Sequence, residues 1–289
     1  NPKAGAGPLP GSVVVKIENL SFTYSSGERP ALSNINLEIR RGEYLGIMGL
    51  NGAGKTTLGL SINGIVPQST MGIYEGQVTV EGLDTSTTPV REMARTVGIV
   101  FDNPEFQMSQ VSAAEEVALG LENLGVPNPE MPPRVSAALT TVGLAGFEER
   151  SPMGLSGGQQ QRLAIASVLA MQPKILFMDE PTSNLDPIGK EEVFELARKL
   201  NREEGLTVIV AEHESEVLAA YADRIVVLHE GKIVMIGTPT EVFSRGDELA
   251  KIGIRVPQAT DLAIALSKSG AKDLPVTTGE AITWLEARA

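Results

Sequence analysis

A glycine-rich loop near residue 50 carries the clearest chemical signal in the chain. Residues 49–56 read GLNGAGKT and follow the pattern G-x-x-x-x-G-K-[ST]. Glycines tolerate positive φ and close backbone approach, so successive N–H groups of such a loop can point at phosphate oxygens. Lys55 can reach the β- and γ-phosphates of a nucleoside triphosphate, and the Thr56 hydroxyl can ligate Mg²⁺. The predicted nucleotide contacts are Gly49, Leu50, Asn51, Gly52, Ala53, Gly54, Lys55, Thr56 and Thr57.

Two adjacent carboxylates end an apolar segment later in the chain. Asp179 and Glu180 follow the run ILFM. Ligands of parallel sheets bind at the carboxyl ends of the strands, so we expect Asp179 to lie near the Mg²⁺ bound through Thr56. Glu180 would then lie close to the γ-phosphate, where it can polarise an attacking water. The pair could instead cap a helix, because carboxylates favour helix N-termini, but the phosphate loop favours the metal and base roles.

A second possible anion site precedes the carboxylate pair. Residues 155–159 read LSGGQ and come directly before a predicted helix. The Ser156 hydroxyl, the exposed N–H groups of two glycines and the helix dipole together favour an anion. On its own this pattern would indicate only a helix cap and a turn.

The elements around these motifs predict an α/β fold. Apolar, β-branched segments predict strands at Val13–Glu18, Ile35–Ile39, Tyr44–Gly49, Gln77–Glu81, Val97–Phe101, Ile175–Asp179, Thr207–Ala211 and Arg224–His229. Helices are predicted at Thr57–Ile65, Ala113–Leu124, Arg134–Val142, Gln159–Met171 and Lys190–Glu204. Their alternation predicts a mostly parallel core sheet covered on both faces, with an antiparallel β subdomain from the strand-rich start.

Changes in composition divide the chain into three parts. Residues 1–12 are rich in Gly and Pro and are predicted to be a flexible leader. Residues 13–238 form the predicted nucleotide-binding domain, with a helical subdomain inserted at about 102–173. Residues 239–289 are predicted to form a small helical C-terminal domain, with turns at Gly246, Gly253, Pro257 and Gly270.

The composition excludes several classes of function. The 289 residues include no cysteine, so a disulfide framework and a thiolate metal site are excluded. The formal net charge is −12, from 24 basic and 36 acidic residues, which argues against a nucleic-acid partner. No apolar run approaches the roughly 18–20 residues that span a bilayer.

The order of these motifs resembles the ATP-binding subunit of ABC transporters, over about residues 13–240. The matching motifs are a Walker A loop GLNGAGKTT (Gly49–Thr57), a signature LSGGQ (Leu155–Gln159), a Walker B strand ILFMDEP (Ile175–Pro181) and a D-loop SNLD (Ser183–Asp186). Tyr24 falls where the family stacks an aromatic ring on adenine, and His213 where it has its switch histidine. The resemblance implies a P-loop NTPase cassette that binds ATP with Mg²⁺ and hydrolyses it.

The same resemblance implies a composite site between two cassettes paired head to tail. ATP on one Walker A loop would be contacted from the other chain by Ser156, Gly157, Gly158, Gln159 and Asp186. Glu180 would act as general base, with His213 and Lys55 as further catalytic residues. One chain alone should be a poor ATPase.

Two further segments resemble the energy-coupling-factor group of importers. These are FDNPEFQ at 101–107 and EEVALGLEN at 115–123. That group imports vitamins and cobalt or nickel ions, and its short C-terminal helical domain helps dimerisation. The resemblance implies membrane-embedded partner subunits and a peripheral location on the cytoplasmic face of the cell membrane.

One position departs from the family pattern. Asp102 stands where the family has the glutamine of the Q-loop, which touches Mg²⁺ and the attacking water. A carboxylate can ligate Mg²⁺ as a hard oxygen donor, so Asp102 joins Thr56 and Asp179 as a predicted metal ligand. It can equally add unfavourable negative charge beside the triphosphate. Asp102 leaves open a hydrolysis-weakened partner in a heterodimeric cassette pair. A second alternative, independent of Asp102, is a soluble ABC ATPase without a transport role.

Overall fold

The computed structural model describes residues 11–267 and 274–288. Within them the strands are β1 (Val13–Tyr24), β2 (Leu32–Arg40), β3 (Tyr44–Met48), β4 (Gly72–Val80), β5 (Leu83–Asp84), β6 (Val97–Val100), β7 (Ile175–Asp179), β8 (Thr207–Glu212), β9 (Arg224–His229) and β10 (Lys232–Gly237). The helices are α1 (Lys55–Asn63), α2 (Ile65–Gln68), α3 (Val90–Met93), α4 (Ala113–Leu124), α5 (Met131–Thr141), α6 (Gly157–Leu169), α7 (Pro187–Glu204), α8 (Ser215–Tyr221), α9 (Pro239–Phe243), α10 (Gly246–Lys251), α11 (Gln258–Leu266) and α12 (Thr278–Glu286). The predicted turn at Gly270 and residues 1–10 of the predicted leader lie outside the described residues.

A six-stranded sheet forms the centre of the fold, in the order β10-β9-β3-β8-β7-β6. Five strands run parallel, and β10 pairs with β9 in the antiparallel sense. Side chains of β7 alternate between two cores, with Ile175 and Phe177 on one face and Leu176 and Met178 on the other. Because both faces are buried, the central strands β3, β7 and β8 are largely apolar.

Two layers cover this sheet. The antiparallel sheet β2-β1-β4-β5 shares one core with α1 and the facing strand side chains. Helices α4 to α7 contribute to the core on the opposite face. Helices α4, α5 and α6 lie between β6 and β7 in the chain and pack on one another, as the predicted helical insertion requires. The predicted fold class is confirmed.

The C-terminal helices pack against the nucleotide-binding part of the chain, and several of their apolar side chains join its core. After α10 the chain turns at Gly253, which has a φ of +77°, and a side chain at that position would meet Leu50 of the glycine-rich loop. The N–H at the start of α11, on Gln258, donates to the Glu216 carboxylate at 3.4 Å. The predicted domain boundaries at 12, 238 and 289 remain predictions.

Several elements differ from those predicted. Helix α5 begins at Met131 rather than at Arg134, because prolines at 132 and 133 occupy its first turn, where no backbone N–H is needed. Strand β1 continues to Tyr24 past an irregularity at Asn19, which has a φ of 51°. Strand β10, which was not predicted, closes a hairpin against β9.

Gly59→Ala should destabilise the fold by about 1–3 kcal/mol, the usual cost of overpacking a core. A Cβ on Gly59 of α1 would lie 2.3 Å from the buried ring of Phe177, so helix and sheet would have to separate. The measurement is urea unfolding. Gly279→Ala in α12 is the matched control, since no atom lies within 4 Å of its Cβ position. Equal stability of the Gly59 variant and wild type would contradict this packing account.

Candidate nucleotide-binding site

The carboxyl ends of β3, β7 and β8 lie side by side and bring the predicted site residues together. The loop after β3 leads into α1, β7 ends at Asp179, and β8 ends directly before His213. Gly54 has a φ of 106°, and a Cβ there would lie 2.5 Å from the carbonyl oxygen of Ala31. The loop therefore requires glycine at this position, as a backbone cradle for phosphate does.

Lys55 lies buried inside this cradle. Its Nζ donates to the carbonyl oxygen of Gly49 at 2.8 Å and to that of Leu50 at 3.4 Å. The same Nζ lies 2.9 Å from Oε1 of Glu180. The two residues predicted to face the γ-phosphate are thus paired with each other.

Glu180 has a left-handed backbone conformation, with a φ of 44°. Its N–H donates to the carbonyl oxygen of Ala211 at 2.9 Å, which anchors the end of β7 to β8. Non-glycine residues in this conformation carry backbone strain and concentrate at functional sites. In this conformation the Glu180 carboxylate lies beside Lys55, while the side chain of Asp179 is buried.

Asp179 and Thr56 offer oxygen ligands suited to Mg²⁺. Burial raises the pKa of Asp179, and the nearby charges of Glu180 and Asp102 raise it further. A hydrogen bond with Thr56 and the charge of Lys55 act in the opposite direction. Mg²⁺ prefers such hard oxygen donors and shares its coordination with substrate phosphates, so these residues fit the ion.

A cavity of about 500 Å³ lies above the glycine-rich loop. Its lining includes Tyr24, Asn51, Gly52, Gly54, Lys55, Thr56, Thr57, Asp102, Asp179 and Glu180. The Tyr24 hydroxyl hydrogen-bonds with Oγ1 of Thr57 at 2.9 Å. The Phe22 ring contacts the Tyr24 ring edge-on, with centroids 4.9 Å apart. These contacts hold the Tyr24 ring at one side of the cavity, and its role in stacking on adenine remains a prediction.

Asp102 also lines the cavity but is exposed. Its Oδ1 accepts the N–H of Asn103 at 2.9 Å, and its carbonyl oxygen accepts a hydrogen bond from Ser183 Oγ at 3.4 Å. Its role as a metal ligand remains a prediction.

The LSGGQ segment lies apart from this cavity. Ser156 caps α6: its Oγ accepts the N–H of Gln159 at 3.4 Å, and Oε1 of Gln159 accepts the N–H of Ser156 at 3.0 Å. Ser156 and Gly157 are exposed, and the cavity lining includes neither them nor Gly158. Asp186 caps α7 by accepting the N–H of Gly189 at 2.7 Å. Within one chain, the second anion site is therefore not brought to the first.

His213 lies beside Glu180, and sequence reasoning missed the residue that holds it. Nδ1 of His213 is 3.8 Å from Oε2 of Glu180 but 3.1 Å from Oε1 of Glu212. Glu212 is buried, and burial raises its pKa. Its place at the end of an apolar strand, directly before His213, is the signal that could have revealed it.

Comparison with known proteins agrees with this geometry. The family model described as ABC transporter matches residues 32–183. The chain belongs to the ABC transporter family. It is 48% identical over 257 residues to a putative ABC transporter ATP-binding protein of Pyrococcus abyssi, covering 89% of this chain and 92% of the relative. It is also 44% identical over 258 residues to the energy-coupling factor transporter ATP-binding protein EcfA1 of Lacticaseibacillus paracasei, covering 89% and 90%.

Two solved structures of ABC transporter ATPases resemble the fold. CbiO1 from Clostridium perfringens, described as part of the ABC transporter complex CbiONQ, has a TM-score of 0.73 and 35% identity, covering 87% of this chain and 99% of the other. A dimeric ATP-binding cassette in a post-hydrolysis state, bound to ADP and Pi, has a TM-score of 0.68 and 33% identity, covering 78% and 98%. The predicted activity is confirmed: the chain is an ABC ATPase that binds ATP with Mg²⁺ and hydrolyses it.

Proposed function

We propose that the chain is the ATP-hydrolysing motor of an energy-coupling-factor importer, working as one of two paired cassettes. One observation carries the proposal. The Walker A loop, the Walker B carboxylates and His213 lie together at the carboxyl ends of the central strands, while Ser156 and Gly157 are exposed elsewhere. An ATP site that uses both groups requires a second cassette.

Within that site, Glu180 acts as the general base. Its carboxylate is paired with Lys55 at 2.9 Å, so Lys55 must turn from Glu180 to the phosphates when ATP binds. That exchange frees Glu180 to accept a proton from the attacking water. His213, close to Glu180, contacts the γ-phosphate, and Tyr24 stacks on the adenine.

The Mg²⁺ that accompanies ATP would neutralise part of the phosphate charge. Thr56 and Asp179 would hold it on the protein side, with Asp102 as a third oxygen donor. Among the described residues, no group of three or more His, Cys, Asp or Glu side chains could hold a metal ion. Phosphate oxygens of ATP and water would supply the other ligands.

The proposed partners are those of the energy-coupling-factor importers. In the part of the chain that the structure describes, no helix has the length and apolar character needed to cross a membrane. We propose that the chain lies peripherally on the cytoplasmic face of the cell membrane, bound to membrane-embedded subunits, and that residues 239–289 help the two cassettes to dimerise. The cargo would be a vitamin or a transition-metal ion, as the sequence resemblance to the energy-coupling-factor group implies.

Co-purification from native membranes tests this function. A tagged chain should retain integral membrane proteins after detergent extraction, together with a second cassette. Recovery of ribosomes or chromosomal protein without any membrane protein would contradict the importer proposal and favour a soluble ABC ATPase.

Asp102→Gln should raise the ATPase rate of the assembled complex by about 2- to 10-fold, the worth of one hydrogen bond of about 0.5–1.5 kcal/mol. The amide removes a negative charge from the cavity and reaches one methylene further. Asp102→Asn removes the charge without the extra reach, so the pair separates the two causes. Glu105→Gln, an exposed neighbour outside the cavity lining, is the matched control. An unchanged rate in Asp102→Gln would contradict the weakening role of Asp102.

A further inference from the structure

A buried carboxylate stands next to the switch histidine without touching the cavity in which ATP is proposed to bind. Glu212 ends β8, is 1% exposed, and is not part of the cavity lining. A buried carboxylate is costly unless its oxygens receive hydrogen bonds. The groups that donate hydrogen bonds to Glu212 therefore show which parts of the chain it holds in place.

One oxygen of Glu212 accepts hydrogen bonds from the following two residues. Oε1 accepts the N–H of His213 at 2.8 Å and the N–H of Glu214 at 3.3 Å, and it lies 3.1 Å from Nδ1 of His213. We call His213 and Glu214 the switch loop. Since both backbone amides and the imidazole converge on a single atom, the path of the switch loop and the direction of the ring are set together.

The other oxygen of Glu212 reaches toward the catalytic strand. Thr182 Oγ1 donates to Oε2 of Glu212 at 3.4 Å, and Thr182 is itself buried. Thr182 lies two residues after Glu180. Glu212 thus connects the switch loop to the segment that carries the general base.

Two carboxylates are near Nδ1 of His213, and Glu212 is the nearer. Its oxygen is 3.1 Å away, against 3.8 Å for Glu180. A third carboxylate, that of Glu214, is paired with Lys190 of α7. A neutral imidazole carries one proton, and an acceptor at Nδ1 places it there. Nε2, across the ring, is then left for another partner, and the His213 side chain is 48% exposed.

We propose that Glu212 is a positioning residue for ATP hydrolysis: it holds His213 with its proton on Nδ1 and holds the switch loop against the segment after Glu180. This inference rests on the proposed contact between His213 and the γ-phosphate. A carboxylate that fixes the tautomer of a histidine strongly affects turnover in other active sites, because the wrong tautomer presents the wrong atom to the reacting group.

The tautomer can be observed directly, because the chain has two histidines. In ¹⁵N-histidine-labelled full-length protein, long-range ¹H–¹⁵N spectra report which nitrogen carries the proton, and His229→Gln assigns the two rings. We expect the proton of His213 on Nδ1 in wild type. In Glu212→Val, which removes the acceptor, it should move to Nε2, and Glu212→Gln, which keeps the size and one acceptor oxygen, should show a mixture.

The ATPase rate of the assembled dimer should fall in the variants in which the His213 proton leaves Nδ1. For Glu212→Val we expect kcat to fall about 10- to 100-fold, as for loss of a partner that orients a histidine ligand, with KM for ATP within about twofold of wild type. Glu212→Gln should retain an intermediate kcat. The control is Glu216→Gln, an exposed glutamate nearby that contacts the C-terminal helices and should change neither readout.

Two results would overturn the proposal. One is a His213 proton that stays on Nδ1 in Glu212→Val. The other is a fall in kcat in Glu212→Gln with the wild-type tautomer and a lowered unfolding midpoint, which would reduce Glu212 to a structural role. The underlying function is tested separately by His213→Ala. If that variant hydrolyses ATP at the wild-type rate, the role of His213 fails whatever the tautomer of the ring.

Discussion

Glu180→Gln should bind ATP at least as tightly as wild type while hydrolysing it about 10²- to 10⁴-fold more slowly, the usual contribution of a general base. The amide has nearly the shape of the carboxylate but cannot accept the proton of the attacking water. It also no longer forms the ion pair with Lys55, which the carboxylate contacts at 2.9 Å, so Lys55 becomes freer to meet the phosphates. Turnover of ATP and equilibrium binding of a fluorescent ATP analogue, measured on the same preparations, check the two halves of the prediction.

Glu230→Gln provides a control matched in backbone as well as in side chain. Glu230 is exposed at the turn between β9 and β10 and has a φ of 47°, against 44° for Glu180. It should keep wild-type turnover and binding. A Glu180→Gln variant that turns over ATP within about twofold of wild type would remove Glu180 as the base, since a positioned base contributes far more.

Gly157→Ala should lower ATPase activity about 5- to 150-fold without lowering stability. Inside the chain a methyl group at Gly157 would make only ordinary contact, 3.4 Å from the Leu185 side chain. The loss must therefore arise outside the chain, where the added methyl group crowds the phosphates held by the second cassette. Overpacking of this kind costs about 1–3 kcal/mol, which corresponds to the stated range of activity.

The control for this variant lies three residues earlier. Gly154 has open space around its Cβ position and no positive φ, so Gly154→Ala should leave both activity and stability unchanged. If the cassettes form homodimers, mixing two variants gives a more specific test. A dimer of Gly157→Ala with Glu180→Gln retains one intact composite site when each ATP uses residues of both chains. No recovery of activity on mixing would contradict that arrangement.

The parts of the site that sequence predicts well are those whose signal is local. Lys55, Thr56 and Asp179 stand in short patterns where each residue type has one mechanical reason to be present. The parallel sheet was predicted equally well from sequence, since strands buried on both faces are largely apolar, as residues 175–178 are.

What sequence did not predict depends on contacts between distant segments. The Lys55–Glu180 ion pair joins residues 125 positions apart, and the Tyr24–Thr57 hydrogen bond joins residues 33 positions apart. Side chains of these four types are also common at positions that face solvent, so residue type alone does not reveal the pairings. Glu212 was missed because a glutamate before His213 and two further acids resembles an exposed acidic run. The apolar residues of β8 that precede it indicate the opposite, and the burial of that strand shows that its side chain turns inward.

The lining of the nucleotide cavity has a consequence for how the protein responds to its surroundings. Within the described residues, one cationic side chain, Lys55, faces three carboxylates there: Asp102, Asp179 and Glu180. The triphosphate of free ATP would meet net repulsion, which backbone N–H dipoles alone must overcome. The protein should therefore recognise the magnesium complex and largely ignore uncomplexed nucleotide. Its occupancy would then follow cellular free magnesium as closely as it follows the ATP pool, and a fall in magnesium would slow the motor even while ATP remains abundant.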